Sequence, residues 1–479
     1  MKRRDCLKGC AALAAAAVLP GCSDENSGAG PATGSQPEST RPGAVILDEN
    51  ETTPLRSSGW TSPAGVLPDH PPLNGDLDAD VAVVGAGLAG SSVALHLAEA
   101  GLSVVVLEAR QPGWGASGRN AGHVAPTLRD VDVIRRFPDG GKAFLELFRE
   151  HHQITFDLAR RHGISCDAVP AGYLNATESA RVFEKLKTES GFWQREQGQQ
   201  VEWLEGPDMK AVTGSDYYPY GVLYRSGGRV NPYRFTNGMI AAAIRHGARV
   251  FGGTEATALR RSGSRWRITT ATGSVVAGRV VFCTNAYPTS IVPQFANSFY
   301  PLTAYALATR PLPREALGIV LPGGTPIAIQ PVDLNPSLVD EHGRIVTASI
   351  PSRSRPRDAS RYFETHLAWI HRTWPQTRDM DIQLEHYWTG RVALRDVEFP
   401  GAFQLEPGLF GLMHFNAWGN VMAPLLGMAL AGALAADRLD TLPFPLEKPS
   451  PVGYPGKQDL LIRRLMIPAA RVGQQLGIL

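Results

Sequence analysis

A chain of 479 residues with 43% hydrophobic and 19% charged content can bury a large core and divides into more than one domain. Its 47 basic residues against 45 acidic ones leave a formal net charge of +2, a balance with no field to hold nucleic acid. The 5 cysteines show no C-x-x-C spacing and no nearby histidine pair, which argues against a disulfide framework and against a metal site.

The first 22 residues, MKRRDCLKGCAALAAAAVLPGC, set paired Arg3 and Arg4 before an apolar run from Ala11 to Leu19, the pattern of an export signal. The run is too short to span a bilayer as a helix. Leu19-Pro20-Gly21-Cys22 looks like a lipobox, which predicts cleavage before Cys22 and a lipid anchor on that cysteine, holding the protein to a membrane on the periplasmic side. The arginine pair with Leu7 and Lys8 resembles a twin-arginine signal, although Cys6 stands where that signal usually has Phe. The other readings are an uncleaved signal anchor and a cytoplasmic protein. From Ser23 to about Arg41 the chain is rich in Ser, Gly, Pro and Thr and reads as a flexible tether. The proline-rich sequence after it, through Trp60 and on to residue 75, is expected to lie extended across the surface.

In "DADVAVVGAGLAGSSVALHLAEAGLSVVVLEAR", Val81 to Val84 reads as a buried strand, Gly85-x-Gly87-x-x-Gly90 opens an apolar-periodic helix, and Val104 to Leu107 is a second strand ending in Glu108. Each part has a task in holding a dinucleotide. Gly85 permits the tight turn, Gly87 lets the backbone approach a pyrophosphate at the helix N-terminus, and Gly90 allows close helix packing. Glu108 can accept hydrogen bonds from ribose hydroxyls and repels a 2′-phosphate, so NADP is disfavoured. This unit alone does not separate FAD from NAD.

The stretch that follows, "EARQPGWGASGRNAGH", carries a glycine-rich loop with an arginine that a nicotinamide enzyme has no particular need for. With its lead-in Ala109 and Arg110, it resembles the corresponding loop of the glycine oxidase and D-amino-acid oxidase superfamily, closest to the gamma-glutamylputrescine oxidoreductase branch. Ala121 replaces one glycine of that pattern. The resemblance continues through "GGRVNPYRFTNGMIAAAIRHGARVFGGTEATAL" and "RVVFCTNAYPTSIVP" to "YWTGRVALRDVEFPGAFQLEPGLFGLMHFNAWGNVMAPLLGMALAGAL".

The resemblance implies an α/β fold: a Rossmann-like FAD-binding domain interleaved with an antiparallel-sheet substrate domain. Residues 76–160, 228–290 and 399–445 are assigned to the first, 161–227 and 291–398 to the second, and 446–479 to a C-terminal extension. Proline-rich 311–336 is expected to be a surface excursion. Implied FAD contacts are Gly85, Gly87, Gly90, Glu108, Ala109, Arg110, Ser117, Arg119, Asn120, Ala121, Gly122, Asn285, Asn416 and Gly419. In "HFNAWGN", His414 and Ala417 occupy positions where the family pattern has glycine, while Asn416 and Gly419 are kept. The departure sets an imidazole near the flavin, either as a charge-stabilising group or as a hydrogen-bonded core histidine.

The implied reaction is oxidation of an amine or amino acid by hydride transfer to flavin N5, the imine then hydrolysing in water. An apolar, aromatic pocket can keep the substrate nitrogen neutral by desolvation. Tyr305, Tyr387 and Trp388 are candidate walls, with ordinary sheet-core packing as the alternative. Arg391 or Arg395 could clamp a substrate carboxylate, or simply serve in a salt bridge.

There is no lysine between Lys210 and Lys448 and no cysteine after Cys283, where the sarcosine-oxidase branch has its oxygen-activating lysine and its covalent flavin link. Arg119 stands where the dimethylglycine dehydrogenase branch has a flavin-linked histidine. Non-covalent FAD and slow oxygen use are therefore expected, with oxygen or a quinone as acceptor. A catalytically weak FAD-binding lipoprotein is the alternative. The C-terminal "DLLIRRLMIPAARVGQQLGIL" is expected either to pack on the domain or to lie on a membrane, with Pro468 breaking any long helix.

Overall fold

The computed structural model describes residues 52–288 and 290–475. The export signal, the Cys22 anchor and the tether lie outside the described residues. Strand Gly75–Val84 is central to the first sheet, with Val81, Ala82, Val83 and Val84 all buried, as expected of a parallel strand covered on both faces. Its neighbours are Gly273–Phe282 and Val104–Leu107, both parallel, with Val81 opposite Arg279 on one side and Val104 on the other. Arg249–Phe251 continues the sheet beyond Val104–Leu107, and Leu409–Met413 and Gly401–Glu406 continue it beyond Gly273–Phe282. Helices Leu88–Glu99, Ile154–His162, Pro232–Arg245 and Gly419–Ala435 pack together beside it, and the Ser92 hydroxyl donates to the Pro424 carbonyl at 2.8 Å.

The second sheet also has eight strands, drawn from residues 173–224 and 300–394. Every pairing in it is antiparallel except that of Ile327–Ile329 with Tyr173–Thr177. Tyr300–Thr309 and Leu384–Leu394 pair through almost their whole lengths. Helix Ala359–Thr373 covers the face that carries Tyr305 and Tyr387.

Three expectations are corrected. Residues 311–336 are not a surface excursion: Leu312, Ala316 and Val320 are buried, and Ile327–Ile329 is an interior strand. The prolines flank that strand rather than occupy it, so its ladder hydrogen bonds survive. The lead-in is not a surface strap at its start, because Leu55–Ser57 and Gly59–Thr61 form 3-10 turns that sink Trp60 to 2% exposure, whereas residues 63–72 are mostly exposed and outside any helix or strand, as expected.

Pro468 does not break the C-terminal helix. Lys457–Leu461 runs through a π-helical turn, Ile462–Met466, into Ile467–Gln475. The wider turn makes room where a proline ring would meet the carbonyl of an ordinary α-turn. Arg463 donates to the Pro351 and Ser352 carbonyls, and Arg471 to Asn335 and the Leu334 carbonyl, so this helix docks on the second sheet. Among the described residues no helix is long and apolar enough to cross a membrane.

Candidate active site

The turn after strand Gly75–Val84 leaves no room for side chains. A Cβ on Gly87 would stand 2.7 Å from the Ser117 hydroxyl, and one on Gly90 would stand 1.9 Å from the Gly85 carbonyl oxygen. The Leu88 N–H, in the first turn of helix Leu88–Glu99, donates to Ser117 Oγ at 2.9 Å. A helix N-terminus presents N–H groups with no partner inside the helix and carries positive potential, the elements of an anion site. Glu108 closes the cradle: its carboxylate accepts from the Ala86 N–H at 2.8 Å and the Arg110 N–H at 2.9 Å. Burial raises its pKa, opposed by those two donors.

These residues open into a cavity of about 840 Å³. One part of its wall is Glu108, Ala109, Arg110, Thr254 and Thr272; another is Thr53, Trp114, Tyr287 and Arg391. Gly85, Gly87, Ser117 and Asn285 also line it.

The arginine-bearing loop is fastened from three directions. Trp60 Nε1–H donates to the Asn120 carbonyl at 2.7 Å, and Trp388 Nε1–H to the Arg119 carbonyl at 2.9 Å. The Asn120 and Asn420 amides exchange two hydrogen bonds, of 3.1 and 3.0 Å. Arg119 is only 4% exposed. It donates to the carbonyls of Trp114 (2.6 Å), Thr53 (2.9 Å) and Thr389 (3.1 Å), with its guanidinium 5.1 Å from the Trp114 ring centre. The Ala121 carbonyl meets the His123 ring at 3.0 Å, and the Gly122 N–H donates to Asn120 Oδ1.

The segment before the closing helix keeps a glycine-like backbone without glycines. His414, Asn416 and Ala417 have φ of +62°, +52° and +62°, a left-handed conformation that costs a side-chain-bearing residue about 1–2 kcal/mol. Two asparagines hold it there. Asn285 Oδ1 accepts from the His414 N–H at 2.8 Å, and Asn416 bridges the Arg395 N–H and the Val397 carbonyl. Gly419 then begins helix Gly419–Ala435.

A profile of the family described as FAD dependent oxidoreductase matches residues 80–433. The chain belongs to this family of FAD-dependent oxidoreductases. Gamma-glutamylputrescine oxidoreductase of Escherichia coli K12 is 27% identical over 387 residues, covering 80% of this chain and 89% of that protein. Among solved structures, glycine oxidase from Geobacillus kaustophilus superposes with a TM-score of 0.63 at 19% identity, covering 79% of this chain and 99% of that one. L-amino acid deaminase from Proteus vulgaris gives 0.65 at 18% identity, covering 84% and 98%. These likenesses establish the fold. FAD is the cofactor of the family, and the side-chain-free approach at Gly87, the helix N-terminus and Glu108 fit its pyrophosphate and ribose.

Of the residues expected to act on the substrate of this FAD-dependent oxidoreductase, Arg391 reaches the cavity wall, 6% exposed, with its backbone N–H donating to the Tyr287 hydroxyl at 2.9 Å. The others are placed differently. Tyr305 lies under helix Ala359–Thr373, stacked on Tyr362 and Tyr387 and hydrogen-bonded to His366 at 2.9 Å. Trp388 is fully buried on the opposite face against Trp60, a wedge that positions the loop. Arg395 pairs with Glu447 at 2.7 Å.

His414 lies in the core and does not line the cavity. Its ring is wholly buried, 4.9 Å from that of Phe299 and 5.6 Å from that of Phe403, and neither nitrogen has a hydrogen-bond partner among the described residues. Burial first, and Arg395 second, hold its pKa well below the ordinary 6.5. The sequence pattern also passed over Tyr287, Trp114 and Thr53 as cavity walls. The only signal available was their adjacency to the strand end at Phe282, to the glycine loop, and to the apolar lead-in.

Proposed function

We propose that this enzyme oxidises an amino acid or a carboxylate-bearing amine. The observation that carries the reading is the placement of Arg391, a buried guanidinium in the wall of the same cavity as the pyrophosphate cradle, beside Tyr287 and Trp114. FAD, held by the Gly85–Gly90 turn, Ser117 and Glu108, would supply a two-electron acceptor for the hydrogen on the carbon bearing the nitrogen, and the resulting imine would hydrolyse in water. The protein's part is to bind and orient. Arg391 offers a planar fork to a carboxylate. The Trp114 and Tyr287 rings, 5.3 Å apart, exclude water and favour the neutral amine that can be oxidised. Burial raises the Tyr287 pKa, so this group stays a neutral phenol.

The kept left-handed backbone at His414 and Ala417 favours a working enzyme over a binding lipoprotein. Anaerobic mixing with a panel of amines and amino acids should bleach the yellow protein. Arg391→Met should raise KM for carboxylated substrates by about tenfold or more and leave amines without a carboxylate unchanged. Failure of every amine and amino acid to bleach the protein would refute the reading.

Three further proposals accompany it. The FAD is held non-covalently, so acid precipitation should release all of it, and a yellow pellet would overturn this. Reoxidation is faster with a quinone than with oxygen. That expectation follows from the lysine-free stretch between Lys210 and Lys448, the neutrality of His414 and the engagement of Arg119 with carbonyls. Stopped-flow mixing of reduced enzyme with each acceptor decides it, and faster oxidation by oxygen overturns it. The protein is exported and lipid-anchored at Cys22, so labelled palmitate should enter it and be lost in Cys22→Ser.

A further inference from the structure

We propose that Glu99, His162 and His246 form a binding site for a divalent transition metal, with Zn²⁺ the best match. Glu99 is the last residue of helix Leu88–Glu99, His162 the last of helix Ile154–His162, and His246 caps helix Pro232–Arg245. Three helix C-termini therefore converge on one point, and each contributes one ligand atom, all within 4.8 Å of one another. His162 Nε2 and Glu99 Oε1 are 3.4 Å apart. That is long for a hydrogen bond, and it matches the roughly 3.3 Å that separates two ligands on a tetrahedral zinc with bonds of about 2.0 Å.

A second observation points to a ligand. The His162 side chain is only 6% exposed and aimed into the cluster, yet its Nε2 has no hydrogen-bond partner. A buried polar nitrogen without a partner is costly, and a metal ion satisfies it. His246 presents its ring edge-on to His162 at 6.1 Å and is exposed, which gives an ion an entry path.

Arg161 and Arg245 add positive charge nearby. Arg245 is turned to the His162 carbonyl, at 3.1 Å. The Glu99 carboxylate and the negative ends of three helix dipoles oppose them. Two histidines and one carboxylate, with water in the fourth position, give a chemically ordinary zinc environment. The site would join three helices at the far end of the helix whose first turn meets Ser117, where a metal acts as a staple rather than a reactant.

The test uses full-length, FAD-loaded protein without a polyhistidine tag, stripped with EDTA and titrated with Co²⁺. Binding of one ion per chain is expected, with the strong visible bands of tetrahedral cobalt, bleached by added Zn²⁺. Saturating Zn²⁺ should raise the melting temperature. His162→Gln should lose both effects. So should His246→Gln, an exposed position whose replacement leaves the core intact, with affinity falling about 100-fold or more. A wild-type protein that takes up no Co²⁺, or His246→Gln binding as tightly as wild type, would overturn the proposal.

Discussion

Acidification should unfold this protein partly through His414. The imidazole is shut between Phe299 and Phe403, and its folded pKa lies well below 6.5. In the unfolded chain it takes a proton near 6.5. Below that pH the unfolded state binds a proton that the folded state refuses, so the contribution is complete above 6.5 and shrinks as pH falls. The loss is about 1.4 kcal/mol per pH unit, or about 2 kcal/mol between pH 6.5 and about 5. His366 is buried and lowered in the same way, which brings the total for both to about 4 kcal/mol. Urea unfolding at about pH 7.5 and about pH 5, at fixed FAD, measures the difference. His414→Asn removes the titrating ring and keeps a residue that accepts positive φ. It should lower stability at neutral pH yet lose about 2 kcal/mol less on acidification. If His414→Asn falls as steeply as wild type, the native imidazole is protonated and its role as a cation near the flavin is restored.

Other outcomes are expected elsewhere in the cradle. Gly87→Val drives a side chain onto Ser117 Oγ, already 2.7 Å from a Cβ at that position; a folded but colourless protein is expected, and retention of FAD at wild-type stoichiometry contradicts it. Asn120→Ala and Asn420→Ala each break both bonds of this part-buried amide pair, at about 1–3 kcal/mol apiece, and a double-mutant cycle should show coupling of at least about 0.5 kcal/mol, whereas simple additivity would refute the pairing. Arg119→Lys keeps the charge but loses the reach to three carbonyls, so it should lower the melting temperature and speed FAD release, which fluorescence follows; unchanged release contradicts the bracing role.

The glycine turn was legible because everything it needs is local: a buried strand, three glycines and an apolar helix within one short stretch. What escaped depended on partners far along the chain. Alternation along Tyr300–Thr309 sets which residues share a face, but not which face helix Ala359–Thr373 will cover, so Tyr305 was aimed at the cavity when it lies beneath that helix. The fate of His414 is decided by Phe299 and Phe403, and nothing in "HFNAWGN" announces them. Glu99, His162 and His246 sit in separate helices with no short-range spacing to betray them. The strand Ile327–Ile329 spans 3 residues, too short for period-two alternation to emerge from flanking prolines.

The loop that carries Arg119 also has a history in time. Its fastenings join residues 60, 269 and 300 positions apart: Trp60 with Asn120, Arg119 with Trp388, and Asn120 with Asn420. Closing such long loops is entropically slow, and contacts of this span form late in folding. The phosphate turn can take shape as soon as its own strand and helix emerge from the ribosome. The loop beside it cannot be locked until residue 420 has been synthesised and the closing helix has docked. Capture of the cofactor is thus timed by the closing helix Gly419–Ala435, and a truncated product that ends before that helix would carry the dinucleotide turn intact and still fail to hold its flavin.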